Sequence, residues 1–376
     1  MGLPNITIHF VEKAREVSKR AERGIVGMIV KEASVPETNP ITVYKEKDIP
    51  GTLSAANKEQ VKLALLGNVN APLRVVVYVL ASAAEDYAAA LSYFSTHKVT
   101  YLCAPTAETD GQASAVADWV KEQRAARNKI KAVLPNTEAD TEGVINYTTG
   151  TVTVATGSTG LLKVGDAKVG DTLTADSEMK YLTEGFCSRV AGLLAGTPIE
   201  QASTFSVLSE AVDSSDVDRA SIEKRIDQGE FIIFNDGEKV KVARGVNSLT
   251  TVPDGKSDAW KKIKVVEAMD MIYDDLVKLV EDYYIGKYPN TYDNKCLVLS
   301  AIMDYFNELV LEGVLSTASV AIDTEAVKDY LEEQGDHPES MTDEELKKAD
   351  TDDKLFLTAE ISILDAIEEV TLNIAV

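Results

Sequence analysis

The chain is poor in the side chains on which most protein chemistry depends, with three cysteines, three histidines and two tryptophans among 376 residues. Cys103, Cys187 and Cys296 are odd in number, widely spaced and without a C-x-x-C pair. That excludes a disulfide framework or a zinc knuckle and reads as buried thiols in a reducing compartment. His9, His97 and His337 are too few and too scattered to build a histidine-based triad. Neither G-x-G-x-x-G nor G-x-x-x-x-G-K-[ST] occurs, and Gly157-Ser158-Thr159-Gly160 is not the Gly-x-Ser-x-Gly elbow of a strand-to-helix nucleophile. Asp350, Asp352 and Asp353 imitate the start of a calcium loop, but the central glycine and distal glutamate are missing. The longest apolar run, 75–84, is about half of what a bilayer span requires. Met1-Gly2-Leu3-Pro4-Asn5 lacks the basic and then apolar pattern of a secretory leader. The expectation is a soluble, cytoplasmically made protein with no cofactor, no metal and no catalytic centre.

What is abundant is acid. With 61 Asp+Glu against 38 Lys+Arg, the net charge is −23, which repels phosphate backbones and anionic lipid surfaces alike. Neither nucleic acid nor membrane is expected as a partner. The charge reads either as a solvated surface or as an acidic patch for a basic partner. Acidic neighbours such as Asp274/Asp275 and Glu368/Glu369 are what this composition produces, and no spacing singles out an acid/base pair. With 45% hydrophobic residues, the chain can bury a sizeable core in two or three domains.

From Leu73 the pattern alternates between apolar runs (75–80, 99–103, 130–134) and helical stretches (83–96, 111–128). Near-continuous apolar strands separated by helices predict a parallel, doubly wound sheet. In the second helix Ala113, Val116, Trp119 and Val120 form the inward face, with Asp110 placed to cap it. Residues 147–178, rich in Thr, Gly and Asp, read as hairpins and loops around Val152 and Val154. Helices are expected over 179–195, closed by Gly196 and Pro198, and over 217–228, closed by Gly229. Asn235-Asp236-Gly237 between two apolar runs predicts a hairpin. The last third opens with a long amphipathic helix, 258–284, stopped by Gly286 and Pro289. A second helix follows over 291–311, then a shorter one capped by Asp323 and ended by Gly335, then an acidic loop over 336–354 with one weak helix.

Both ends of the chain are apolar, unlike most termini. Ile6, Ile8 and Phe10 alternate with Thr7 and His9, and Val370, Leu372, Ile374 and Val376 alternate with Thr371, Asn373 and Ala375. Each reads as a strand with one apolar face, either an edge strand of its own domain or an arm donated to a neighbour's sheet. Burying four aliphatic side chains is worth roughly 6 to 12 kcal/mol before the entropy of ordering the arm.

Several strings carry a more specific signal. They are Gly2-Leu3-Pro4-Asn5-Ile6 with Arg23-Gly24-Ile25-Val26; Arg189-Val190-Ala191-Gly192-Leu193-Leu194-Ala195-Gly196-Thr197-Pro198; and Ala243-Arg244-Gly245-Val246-Asn247-Ser248-Leu249-Thr250. Further on come Ile285-Gly286-Lys287-Tyr288-Pro289-Asn290, Tyr330-Leu331-Glu332-Glu333-Gln334-Gly335 and Asp365-Ala366-Ile367-Glu368-Glu369, where Ile367 stands at a position commonly Met. In this order they resemble contractile tail sheath proteins, above all the short sheaths of Gram-positive phages, defective prophages and phage-tail bacteriocins.

That resemblance implies an α/β, multi-domain fold: a doubly wound body with β-rich insertions and a C-terminal α+β domain with extended terminal β-arms. The expected division is an N-terminal arm, 1–20; a body, 21–255, with a small β-rich part near 25–72 and an α/β part near 73–255; a C-terminal domain, 256–360; and a C-terminal arm, 361–376. It also implies self-assembly into six-fold rings stacked around a tail tube, with baseplate and tail terminator proteins as further partners. Contraction would follow while the arms act as hinges. Lys261, Lys262 and Lys264, at the start of a predicted helix where positive charge is mildly unfavourable, read as a solvated face or as contacts to an acidic tube surface. Alternatives from other classes are a surface-binding protein without catalysis and an enzyme on the doubly wound sheet.

Overall fold

The computed structural model describes residues 23–155 and 178–374. Fourteen strands are found among these residues: β1 (Ile25–Glu32), β2 (Ile41–Val43), β3 (Arg74–Ala81), β4 (Tyr101–Cys103), β5 (Lys131–Pro135), β6 (Val144–Tyr147), β7 (Thr151–Ala155), β8 (Glu178–Leu182), β9 (Ala211–Ser214), β10 (Glu230–Phe231), β11 (Ile233–Asn235), β12 (Val240–Val242), β13 (Leu315–Ile322) and β14 (Leu357–Ile363). The helices are α1 (Ala55–Leu65), α2 (Ala88–Thr96), α3 (Ala113–Ala125), α4 (Thr183–Ala195), α5 (Arg219–Asp227), α6 (Ile263–Tyr283), α7 (Tyr292–Leu311), α8 (Thr324–Gln334) and α9 (Asp343–Lys348). They fall into two units: Glu22–Tyr273 with Leu309–Ala318 and Glu360–Val376, and Asp274–Glu308 with Ser319–Ala359. The expected N-terminal strand of Ile6, Ile8 and Phe10, and Val376 at the other end, lie outside the described residues.

The larger unit is organised by a seven-stranded sheet in the order β10-β6-β5-β4-β1-β3-β2, parallel except for β2 at one edge. Strand β1, from the segment read as a small β-rich part, lies near the middle of this sheet between β3 and β4. Its alternation explains the apolar runs. Val26, Met28 and Val30 pack with residues of α1 and α4, whereas Ile25 and Ile29 pack with Phe94 of α2 and Val116 of α3. Both faces are covered, so neither needs polar residues.

The string around Gly192 is explained by helix packing. A Cβ at Gly192 would sit 2.0 Å from the Ala64 carbonyl oxygen of α1, closer than any real contact. Three residues earlier, Arg189 is 4% exposed; its Nε meets Glu210 at 2.5 Å and one Nη donates to the Gly67 carbonyl at 2.7 Å. Gly192→Ala is expected to cost about 1–3 kcal/mol by forcing α1 and α4 apart, seen as a lower urea midpoint with an unchanged slope.

Two expectations are corrected here. Residues 179–182 belong to β8, antiparallel to β7 with Met179 opposite Val154, and α4 begins only at Thr183. Asp110 does not cap α3, which starts after Gln112 without a side-chain cap. Its carboxylate is instead taken by Lys31 at 2.9 Å, the Tyr87 hydroxyl at 2.5 Å and the Thr106 hydroxyl at 2.7 Å. Strand β7 also pairs with β9, giving the small three-stranded sheet β8-β7-β9. The predicted hairpin forms as antiparallel β11 and β12.

In the smaller unit, Asp323 accepts from the Ala326 amide to cap α8, and Gly335 closes that helix with a positive φ of 91°. Lys295 is 3% exposed and donates to the Ala349 carbonyl at 3.0 Å, while Asn290 donates to the carbonyls of Asp352 and Lys354. The acidic 336–354 segment is thereby tied down at its end, and its weak helix is α9 with a capping box of Thr342 and Glu345.

Candidate assembly surface

A doubly wound sheet would bind a ligand at the carboxyl ends of its strands. Here two side-chain carboxylates, those of Asp110 and Glu184, serve the chain itself. Asp110 is engaged as described, and Glu184 accepts the Glu108 and Thr109 amides at 3.1 and 2.9 Å as well as the Thr109 hydroxyl. No cluster of metal-ligating side chains occurs among the described residues, and no described helix is long and apolar enough to cross a membrane.

The charged groups at the amino ends of the strands are more deeply buried. Lys131 opens β5 with its side chain 2% exposed, and it pairs with Asp270 of α6 at 2.9 Å and with Glu267 at 3.1 Å. Arg124 forks onto the two oxygens of Asp270 at 2.9 and 3.0 Å, and the Tyr101 hydroxyl donates to Glu267. Burial alone would raise the Asp270 carboxyl, but Lys131 and Arg124 outweigh it and hold the group below the usual carboxylate range. Burial, reinforced by the neighbouring Glu267, pushes the Tyr101 phenol well up. The start of α6 is thus locked to the sheet by charge.

The string from Ala243 to Thr250 fixes what precedes α6. Its Asn247 amide donates to the Lys261 carbonyl at 2.9 Å, its Asn247 side chain donates to the Trp260 carbonyl at 2.7 Å, and the Gly245 carbonyl accepts the Ile263 amide at 3.0 Å. Gly245 permits this because a Cβ there would lie 2.6 Å from Ser203 Oγ. The stitching aligns Arg244, Lys262 and Lys264 along one strip. Lys261 ends a 3-10 turn, Lys262 is extended, and only Lys264 is inside the helix.

That strip holds the C-terminal segment. Lys264 Nζ donates to the Leu364 carbonyl at 2.8 Å, and Lys262 pairs with Asp365 and lies 4.0 Å from Glu368. Arg244 reaches Glu368 at 3.2 Å and Glu369 at 3.1 Å, and the Thr204 hydroxyl donates to Glu368 at 2.5 Å. Burial would raise the Asp365 carboxyl, yet the Lys262 contact and the Ala366 amide bring it below its ordinary value; burial pushes the Lys264 ammonium down. Among the described residues Lys261 pairs locally, with Asp258 at 2.9 Å. Sequence reasoning passed over Arg244, Asp365 and Glu368 as partners, because more than a hundred residues separate the two sides.

Beyond Glu369 the character changes. Val370, Leu372 and Ile374 are 82%, 75% and 75% exposed, and the described residues after β14 form no strand. Among the described residues 370–374 pair with no strand, and β14 lies upstream of them. Upstream of this segment β13 and β14 form a two-stranded ribbon, with the Leu364 amide donating to the Val314 carbonyl at 2.9 Å and the Ser316 hydroxyl to the Ser362 carbonyl at 3.4 Å. Among the described residues neither strand has a second neighbour.

Residues 81–248 match the phage tail sheath protein central domain, and residues 255–376 match the phage tail sheath C-terminal domain. The chain belongs to the phage tail sheath protein family. It is 33% identical over 386 aligned residues to the tail sheath protein of Clostridium phage phiCD119, covering 99% of each chain. A 29% identity over 198 residues links it to the phage-like element PBSX protein XkdK of Bacillus subtilis, covering 52% of this chain and 38% of that one. Among solved structures, the sheath tail protein from Desulfitobacterium hafniense superposes with a TM-score of 0.66 at 17% identity, covering 85% of this chain and 94% of that chain. The helical sheath of the anti-feeding prophage in its contracted state superposes with a TM-score of 0.67 at 13% identity, covering 100% and 99%. These likenesses show a shared fold, and the identity with the phage protein makes this chain a tail sheath subunit.

Proposed function

We propose that the chain polymerises around a tail tube as stacked six-fold rings, joined by donated N- and C-terminal strands, and that the sheath contracts to drive the tube through a target cell envelope. It works without catalysis or cofactor, against a tube protein, a baseplate and a terminator, in a virion or phage-tail-like particle assembled in the bacterial cytoplasm. The observation that carries this reading is the exposed apolar 370–374 segment in a chain whose β13-β14 ribbon has no further strand neighbour among the described residues. An apolar strand without a partner and an edge without a strand satisfy one another when copies associate. Residues 256–360 then serve as the mesh-forming domain, with the arms 1–20 and 361–376 on either side and 21–255 as the outer body. The sequence leaves Lys261, Lys262 and Lys264 as either a solvated face or contacts to an acidic tube surface. Since Lys262 and Lys264 are engaged by the C-terminal segment, Lys261 is the residue we assign to an acidic tube surface.

Negative-stain electron microscopy of the purified chain and of a version lacking residues 361–376 tests this. Tubes or rings from the intact chain and monomers from the shortened one are expected. Equal assembly by both would remove the C-terminal arm from the mechanism.

A further inference from the structure

The C-terminal segment divides sharply at Glu369. From 364 to 369 it is held by Lys264, Lys262, Arg244 and Thr204, the side chain of Glu368 being 9% exposed. Ile367, in the same stretch, is 89% exposed, so the hold comes from the polar side and leaves the apolar one outward. From 370 to 374 no ion pair of this kind is made to the described residues, and Val370, Leu372 and Ile374 stand in solvent. Each half of the arm is thus suited to a different partner: charge for its own body, apolar strand for another copy of this chain.

We infer that 364–369 is an electrostatic tether that stays on its own body while the strand beyond it is handed to a neighbouring copy, with the hinge at Glu369 and Val370; this rests on the strand-donation reading. The apolar residues up to Ile374 follow the hinge directly, and fully extended they reach roughly 16–18 Å from Glu369. The tether therefore limits the choice of recipient to a copy whose open edge lies close to the donor's own body. Because the Lys262–Asp365 and Arg244–Glu369 pairs are partly exposed, salt weakens it.

A nitroxide attached at Ile367→Cys or at Leu372→Cys reads the two halves separately. The full chain carries Cys296→Ser, the remaining Cys103 and Cys187 being buried. In the unassembled chain at low salt, the label at 367 is expected to rotate several-fold more slowly than the label at 372. Arg244→Glu with Lys262→Glu, or molar salt, should bring it to the mobility of 372, whereas Arg244→Lys should leave it slow. On assembly the label at 372 should slow several-fold and that at 367 stay as it was. Equal mobility of the two labels before assembly, or indifference of 367 to the charge reversal, would overturn the tether and leave strand donation standing. A label at 372 that stays fast in assembled tubes would overturn the hand-over and strand donation together.

Discussion

Leu372→Asp combined with Ile374→Asp should abolish self-assembly while leaving the unfolding midpoint of the single chain unchanged. Both side chains are 75% exposed in the isolated subunit, so the folded monomer loses no packing when they are replaced. In the assembled state each buried aliphatic of this size contributes roughly 1.5–3 kcal/mol, and the two together about 3–6 kcal/mol per junction. A loss of about 4 kcal/mol per subunit is roughly a thousandfold in the association constant, and two carboxylates brought into an apolar groove add a desolvation cost. Sedimentation velocity read beside thermal unfolding separates the two effects. A lowered midpoint would mean that these residues pack against their own chain, and retained tubes would mean that the strand is not donated.

Asp270→Ala should have the largest effect on the single chain, destabilising it by about 3–5 kcal/mol, because it leaves Lys131 and Arg124 buried without their shared carboxylate. Asp270→Asn keeps the shape but removes the charge that both cations need, and should fall between wild type and alanine. The same pair sets an acid limit. Since the folded-state carboxyl lies below its ordinary value, its contribution is fully present above the unfolded value of about 3.9 and is lost as pH falls through the lowered folded value. Asp365, lowered in the same direction, makes the seat of the C-terminal segment fail in the same acid window. Urea midpoints measured from pH 6 to pH 3 should therefore fall for wild type and flatten for Asp270→Asn. A parallel decline in both would place the acid sensitivity elsewhere.

How much of this was legible in the sequence depends on how local each signal was. The strands of the parallel sheet could be read because burial on both faces leaves continuous apolar runs, as in Val75, Val77 and Val79. The cap at Asp323 and the stop at Gly335 could be read because the partner groups lie within one turn. What failed depended on distant partners. Residues 179–182 continue the helical pattern of α4, and only the neighbouring strand β7 makes them extended. Asp110 has the position of a cap, but Lys31, 79 residues away, competes for it. The sequence reading recognised the apolar alternation at 370, 372 and 374, but the charged seat that precedes it joins Arg244 to Glu368 across 124 residues, and only the fold brings those together.

Under the proposed strand donation, the two-stranded β13-β14 ribbon bears on polymer length. An interface in which every subunit presents an edge and also supplies a strand is head-to-tail, and each added copy recreates the site that recruited it. Such a chain carries no internal measure of when to stop. Growth halts only where a different surface covers the last open edge without offering a strand of its own, or where the template being wrapped comes to an end. On the proposed strand donation, the number of subunits would be a property of what the chain surrounds and what caps it, and the same sequence would yield sheaths of different lengths on tubes of different lengths.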